Sequence, residues 1–388
     1  MPFKVISSIK KLQGKIAVVR LDTNVPLKGK KIEDDSRLRE CLPTLRYLER
    51  HGARLILIGH LGRPGGKKVA SLSLKPIGYA LGKLLRQPVK VLPLSLGVAA
   101  IRRAAEQGIV LLENIRFEAG EEKNDTALAK ELGKLGHLFV NEAFSVSHRT
   151  AASLVGITKH LPSYAGFGLA AEVAALEHVR KAGKKPVVAV IGGAKVADKL
   201  PVIRKLLPRL SAVLTGGAVA NTFLAAKGYR VGTSLVDKTE LTAARSLLKL
   251  AQKKILLPID VITDNTRTKG REARWALADE VKTTERIVDV GTRTTLLYAP
   301  FLKAASTVFW SGPLGLVEEH PFRHGTLSLA RLAAAHARGK AYVVVGGGDT
   351  VNFFHEHKLW VDHTSSGGSA MLDFLAGATL PGLKSLER

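Results

Sequence analysis

The chain has 388 residues, 46% hydrophobic and 24% charged, a globular balance with enough material for two or three cores. Its formal net charge of +26 attracts polyanions of any kind, whether nucleic acid, acidic membrane surface or phosphorylated metabolite, and its single cysteine, Cys41, excludes an intrachain disulfide. No uncharged apolar run reaches the roughly 18 residues of a membrane span, and the start Met1-Pro-Phe-Lys-Val-Ile has no signal-peptide core, so a soluble cytoplasmic protein is expected.

Short runs rich in Val and Ile alternate with longer helical patterns, which predicts βαβ units and mostly parallel sheets. In the first half the runs are Ile16–Val19, Leu55–Ile58, Ile109–Leu112 and Leu138–Val140. Cys41 shares a helical stripe with Leu38, Leu42, Leu45 and Leu48, which predicts a buried apolar residue rather than a nucleophile. Between the halves lies an alanine-rich helix over 168–183, closed by Gly183 and suited to join two domains. The second-half runs are Val187–Ile191, Ala212–Leu214, Ile255–Leu257, Ile287–Val290, Val308–Trp310 and Tyr342–Val345. The fold class expected is α/β, with two doubly wound parallel-sheet domains.

The residues that follow these runs differ between the halves. In open parallel sheets, ligands bind beyond the carboxyl ends of the strands. First-half loops carry Asp22 and Asn24, His60 and Arg63, Asn114 and Arg116, then Asn141, Glu142, His148 and Arg149. Converging guanidinium groups suit a small polyanion, because the fork pairs with phosphate or carboxylate. Singly, each arginine reads more readily as a solvated surface residue, and Asp22 and Asn24 read equally as a turn. Second-half loops carry Gly192-Gly193, Gly216-Gly217, Gly291, Gly312 with Gly315, and Gly346-Gly-Gly-Asp-Thr350. Glycines here admit backbone N–H groups to phosphate oxygens, and the next helix start adds favourable potential. Lys195 and Lys199 stand four apart at such a start, where a cation costs about 0.3–1 kcal/mol unless an anion is nearby. Asp349 suits a Mg²⁺ carried by nucleotide phosphates, with a helix cap as the competing reading. Glu318 suits ribose hydroxyls or plain solvent. A Walker A loop and a G-x-G-x-x-G fingerprint are absent, which disfavours an NAD-dependent oxidoreductase. His355-Glu-His357 lacks further metal ligands at suitable spacing.

With these residues assembled, the chain resembles the phosphoglycerate kinase family over essentially its whole length. The motifs are Val19-Arg-Leu-Asp-Thr-Asn-Val-Pro26, Asp34-Asp-Ser-Arg37, His60-Leu-Gly-Arg-Pro64, Leu111-Leu-Glu-Asn-Ile-Arg-Phe117 with Glu121-Glu-Lys-Asn124, Gly192-Gly-Ala-Lys-Val196, Trp310-Ser-Gly-Pro-Leu-Gly315 and Gly346-Gly-Gly-Asp-Thr350. The resemblance implies reversible transfer of the acyl phosphate of 1,3-bisphosphoglycerate to Mg-ADP, giving 3-phosphoglycerate and ATP. It implies an N-terminal glycerate-binding domain over 1–168 plus 376–388, a hinge helix over 169–184 and a nucleotide domain over 185–375, facing each other and closing to exclude water.

Position by position, the resemblance makes Arg63, Arg116 and Arg149 the clamp on the non-transferring phosphate. Asp22, Asn24 and His60 orient the hydroxyl and carboxyl end. Arg37, Lys195 and Lys199 serve the transferring group, and Gly347, Gly367 and Gly368 hold phosphates through backbone N–H groups. Gly193, Gly216, Gly217, Pro313, Gly346, Gly348 and Thr350 belong to the nucleotide site, with Glu318 on the ribose and Asp349 on Mg²⁺. A monomer is implied, with no membrane or dedicated nucleic-acid partner. Departures from the family pattern are Ser311 for Asn, Glu142 for Asp, Ser145 for Gly, Thr292 for Pro and Ser369 for Gly. The alternative expectation is a non-catalytic polyanion or nucleic-acid binder on the same fold.

Overall fold

The computed structural model describes residues 3–181, 186–265 and 273–387. They divide into two compact units, Met1–Ala174 with Thr379–Arg388, and Ala175–Ala378. The helix Phe167–Lys181 contains the first division point. The expected end of that helix, with Gly183, and the expected start of the second domain at 185 lie outside the described residues.

The first unit is built on a six-stranded sheet in the order Val89–Leu92, Ile109–Leu112, Arg54–Ile58, Ile16–Arg20, Leu138–Asn141, Ser163–Ala165. Every neighbouring pair is parallel. Ile16–Arg20 is buried along its whole length, which explains why its sequence is continuous rather than alternating. Val19 and Leu57 pair in register and join Leu38, Leu45, Leu48 and Leu111 in one core, each leucine stabilising by roughly 1.5–3 kcal/mol. Cys41 is buried among them, at the junction of two short helices, Ser36–Glu40 and Leu42–Arg50. Strand order reverses between Ile16–Arg20 and Leu138–Asn141: the chain first builds outward on one side of Ile16–Arg20, then returns to the other. The crevice beyond the carboxyl ends of these two strands is where an open α/β sheet binds ligands.

The second unit repeats this plan with Ile255–Leu256, Ala212–Thr215, Val187–Ile191, Thr307–Ser311, Tyr342–Gly346 and His363–Ser365, all parallel. Trp310 is wholly buried in its core, edge-on to Phe354 with ring centroids 5.5 Å apart, and its indole N–H is satisfied by the Gly312 carbonyl at 2.9 Å. The reversal here lies between Val187–Ile191 and Thr307–Ser311. The run Ile287–Val290 corrects the expectation of a parallel strand. It belongs to Glu285–Val290, in a separate antiparallel sheet ordered Ala273–Leu277, Asp260–Asn265, Glu285–Val290. Ala273–Leu277 and Glu285–Val290 both run antiparallel to the central Asp260–Asn265, apart from the six parallel strands. Charged partners across the ladder, Arg286 with Asp264 at 2.7 Å and Arg274 with Glu285 at 2.7 Å, fix this register instead.

Candidate active site

In the first unit the crevice is built from Asp22 outward. Asp22 is buried just past Ile16–Arg20, and its Oδ2 accepts from Arg37 Nη1 at 3.0 Å and from the Ser145 hydroxyl. Its Oδ1 accepts the Asn24 N–H at 3.2 Å, and Asn24 Oδ1 accepts the Gly62 N–H at 3.0 Å. Arg37 also donates to the Asn24 carbonyl at 3.1 Å. Arg37 and Asn24 are thereby tied to the loop that carries Arg63. Arg116 Nη1 donates to the Gly62 carbonyl at 2.7 Å, and its Nε lies 3.4 Å from Glu122. Burial lowers the Arg116 pKa; Glu122 and Glu121 oppose this, and the neighbouring Arg149 and Arg63 charges add to it. Arg63 and Arg149 are exposed. Three like charges gathered at one strand edge are a site for an anion, because without one they repel.

His60 is buried at the end of Arg54–Ile58, and its pKa lies well below the usual value, first through burial and then through the charges of Arg20, Arg116 and Arg37. Burial and these charges favour the neutral ring. Arg20 was missed by sequence reasoning because a charged residue inside an apolar run reads as the end of a strand. It is 2% exposed and reaches Ser153 Oγ at 2.9 Å, the Leu21 carbonyl at 2.5 Å and His60 Nδ1 at 3.2 Å. Ser153 Oγ in turn donates to the buried carboxylate of Glu121 at 2.6 Å.

In the second unit the crevice at the strand reversal is a pair of glycine turns laid against each other. The Gly192 N–H donates to the Ser311 carbonyl at 2.9 Å and the Gly193 N–H to the Pro313 carbonyl at 2.7 Å. Gly312 has φ +88°, and a Cβ there would stand 2.2 Å from the Gly192 oxygen and 2.4 Å from Lys199 Nζ. Gly217, with φ +56°, would place a Cβ 2.7 Å from the Gly193 nitrogen. Close backbone approach, more than turn geometry alone, requires glycine at these positions.

Two adjoining cavities open here. One of about 290 Å³ is lined by Gly217, Ala218, Leu235, Pro313, Leu314 and Glu318, an apolar bay with an exposed carboxylate on its rim. The other, about 180 Å³, is lined by Lys195, Lys199, Gly347, Gly348, Thr350 and Gly368. Gly193 and Asp349 line both. The sizes suit a flat apolar group beside a phosphate chain. A larger cavity of about 510 Å³, at the edge strand Ile255–Leu256, has none of these groups.

Lys195 caps the helix Val196–Leu206 and is exposed, whereas Lys199, one turn on, is 7% exposed and donates to the Gly192 carbonyl. Burial pulls the Lys199 pKa down to about 8, against the opposing pull of Asp349 and Asp198. Gly347, φ +92°, starts the helix Gly348–Glu356, with Asp349 in its first turn, and Gly368, φ +52°, starts Ser369–Leu375. Three predicted residues, Gly346, Gly216 and Gly367, sit behind the cavities. Gly346 packs under Met371 and Gly216 against Leu314, so that neither has room for a Cβ. The Gly367 N–H is taken by Ser365 Oγ at 3.2 Å. Thr350 Oγ1 accepts from the Gly312 N–H at 2.8 Å and so pins the glycine turn while lining the smaller cavity.

Comparison with known proteins matches this geometry. The phosphoglycerate kinase family model matches residues 6–378. The chain belongs to the phosphoglycerate kinase family. Among curated relatives it is 40% identical over 396 residues to the phosphoglycerate kinase of Borrelia garinii subsp. bavariensis, covering 100% of both chains. It is 44% identical over 384 residues to that of Thermus thermophilus, covering 97% of each. Among solved structures it is similar to phosphoglycerate kinase from Coxiella burnetii, with TM-score 0.87, 37% identity and 99% of each chain covered.

Within the phosphoglycerate kinase pattern the departures have local accounts. Glu142 is buried and accepts from Thr44 Oγ1 at 2.8 Å and the Gly168 N–H at 2.8 Å, capping the helix Phe167–Lys181; its pKa is pushed up to about 7 by burial, against these hydrogen bonds. Ser145 adds a hydroxyl to Asp22 that a glycine lacks. Thr292 is the first residue of the helix Thr292–Ala304, whose start is capped by the Asp260 carboxylate through the Thr294 N–H at 2.6 Å. Ser311 is buried and Ser369 lines the smaller cavity.

Proposed function

We propose that the chain transfers the acyl phosphate of 1,3-bisphosphoglycerate to Mg-ADP, reversibly, giving 3-phosphoglycerate and ATP. The observation that carries the reading is that each sheet's strand reversal presents its own kind of anion site, arginine side chains in one unit and glycine turns with helix starts in the other. In this reading Arg63, Arg116 and Arg149 hold the non-transferring phosphate, and Asp22, Asn24 and His60 orient the glycerate. The 290 Å³ bay takes the nucleoside, with Glu318 toward the ribose, and the 180 Å³ cavity takes the phosphates at Gly347, Gly348 and Gly368. Arg37, Lys195 and Lys199 stabilise charge on the equatorial oxygens of the transferring group, which phosphoryl transfer needs more than covalent help.

Asp349 would hold Mg²⁺. No group of three potential ligands occurs among the described residues, and Asp349, with Asp198 lining the same cavity, fits an ion that would arrive with the nucleotide. When bound, the ion neutralises phosphate charge. Because an acyl phosphate is lost to water, closure by bending at the helix Phe167–Lys181 belongs to the proposal. So do a monomeric state and a cytoplasmic location. Among the described residues no helix is long and apolar enough to cross a membrane. A coupled assay of ATP formation from 1,3-bisphosphoglycerate and Mg-ADP tests the reading. Absence of ATP, or a Lys199→Ala variant with full turnover, would overturn it.

A further inference from the structure

Arg20 is a buried cation that the mechanism above does not use. All three of its guanidinium nitrogens are committed internally, Nε to Ser153, Nη1 to the Leu21 carbonyl and Nη2 to His60 Nδ1, and it is 2% exposed. That separates it from the exposed Arg63 and Arg149, which are open to a ligand. A guanidinium only donates, so the Nδ1 it meets must be the accepting nitrogen of a neutral imidazole, and the ring proton then resides on Nε2. Among the described residues nothing else hydrogen-bonds the His60 ring.

We propose that Arg20 is a positioning residue that fixes His60 as the neutral Nε2–H tautomer, so that His60 presents a donor to the carboxyl end of the glycerate. The proposal rests on the reading of His60 as a substrate contact. With the other tautomer, Nε2 would turn a lone pair toward a carboxylate. With an imidazolium, Nδ1–H would confront the guanidinium. The charged groups around the ring, Arg20, Arg116 and Arg37, are all cations, and burial acts in the same direction. Glu121 offsets the Arg20 charge through Ser153, whose N–H and Oγ both donate to the Glu121 carboxylate at 2.9 and 2.6 Å while Oγ accepts from Arg20. The relay explains how a cation persists in this core. Lysine has one nitrogen on a flexible stem and does not span three acceptors in one plane.

The test is long-range ¹H–¹⁵N correlation of the full chain labelled at histidine, with His60 assigned by its loss in His60→Gln. The expected native spectrum shows a protonated Nε2 and a bare Nδ1 throughout about pH 5 to 8, where ordinary histidines change charge. Arg20→Lys should give a mixed or titrating His60 and raise the KM for 3-phosphoglycerate at least tenfold, with the KM for ATP changed less than threefold. A protonated Nδ1 or an imidazolium in the native spectrum overturns the proposal even if the variant fails to fold. So does an Arg20→Lys variant with an unchanged spectrum and unchanged KM. If His60→Gln itself leaves the 3-phosphoglycerate KM unchanged, the substrate contact fails, and the spectrum alone then decides the tautomer.

Discussion

The two crevices solve the same electrostatic problem with opposite materials. In the first unit the candidate anion site is made of side chains: Arg63, Arg116 and Arg149 bring charge to a strand edge, and Arg116 is held by its donation to the Gly62 carbonyl. In the second it is made largely by removing side chains, since Gly193, Gly217 and Gly312 pack backbone against backbone closer than any Cβ permits. Charge on long side chains can be lost one residue at a time. A site made of close backbone approach fails as a unit.

Four measurements break or sharpen that contrast. Removing the cation proposed to face the transferring group should do most: Arg37→Ala is expected to lower turnover about 100- to 1,000-fold, as loss of one preorganised donor does, with stability nearly unchanged because the side chain is only partly buried. Next, Gly312→Ala should reduce both activity and the free energy of unfolding in urea, the latter by about 2–4 kcal/mol from positive-φ strain and overpacking, which substitution of the exposed Arg63 or Arg149 should not match.

Third, Glu142 tests the helix cap. Its folded pKa of about 7 lies above the ordinary 4.5, so the folded state binds the proton more tightly. This contribution to stability is full below about pH 4.5 and is lost as pH rises through about 7. Glu142→Gln should flatten the slope of stability against pH over that window by about 1–3 kcal/mol. The smallest effect is expected from the exposed clamp. Arg63→Ala or Arg149→Ala should raise the KM for 3-phosphoglycerate about tenfold each, the worth of a charged hydrogen bond, while the KM for ATP stays put.

Much of this was legible in the sequence because buried parallel strands leave continuous apolar runs, and because the residues after those runs differ in kind between the halves. What escaped is physically coherent. Val89–Leu92, Ser163–Ala165 and His363–Ser365 are edge strands, short or half exposed, with no uninterrupted apolar run to announce them. Ile287–Val290 reads as a buried strand from composition, but its pairing with Asp260–Asn265, where Arg286 meets Asp264 from 22 residues away, places it in an antiparallel sheet. In the site, glycines that line a cavity and glycines that only yield space to Met371 or Leu314 look alike in one dimension. Arg20 and Glu121 were invisible for a related reason: their meaning lies in Ser153, more than 30 residues beyond either.

The first unit contains both ends of the chain, and its final segment is stitched in by Gly382, whose N–H donates to the Ser147 carbonyl at 2.8 Å while its own carbonyl accepts from Asn141 at 3.4 Å. Residues 379–388 thus rejoin the first unit after the whole of the second has intervened in sequence, and the Asn141 amide that meets them also reaches Ser147 Oγ at 3.4 Å, so strand end, loop and returning segment share one hydrogen-bond network.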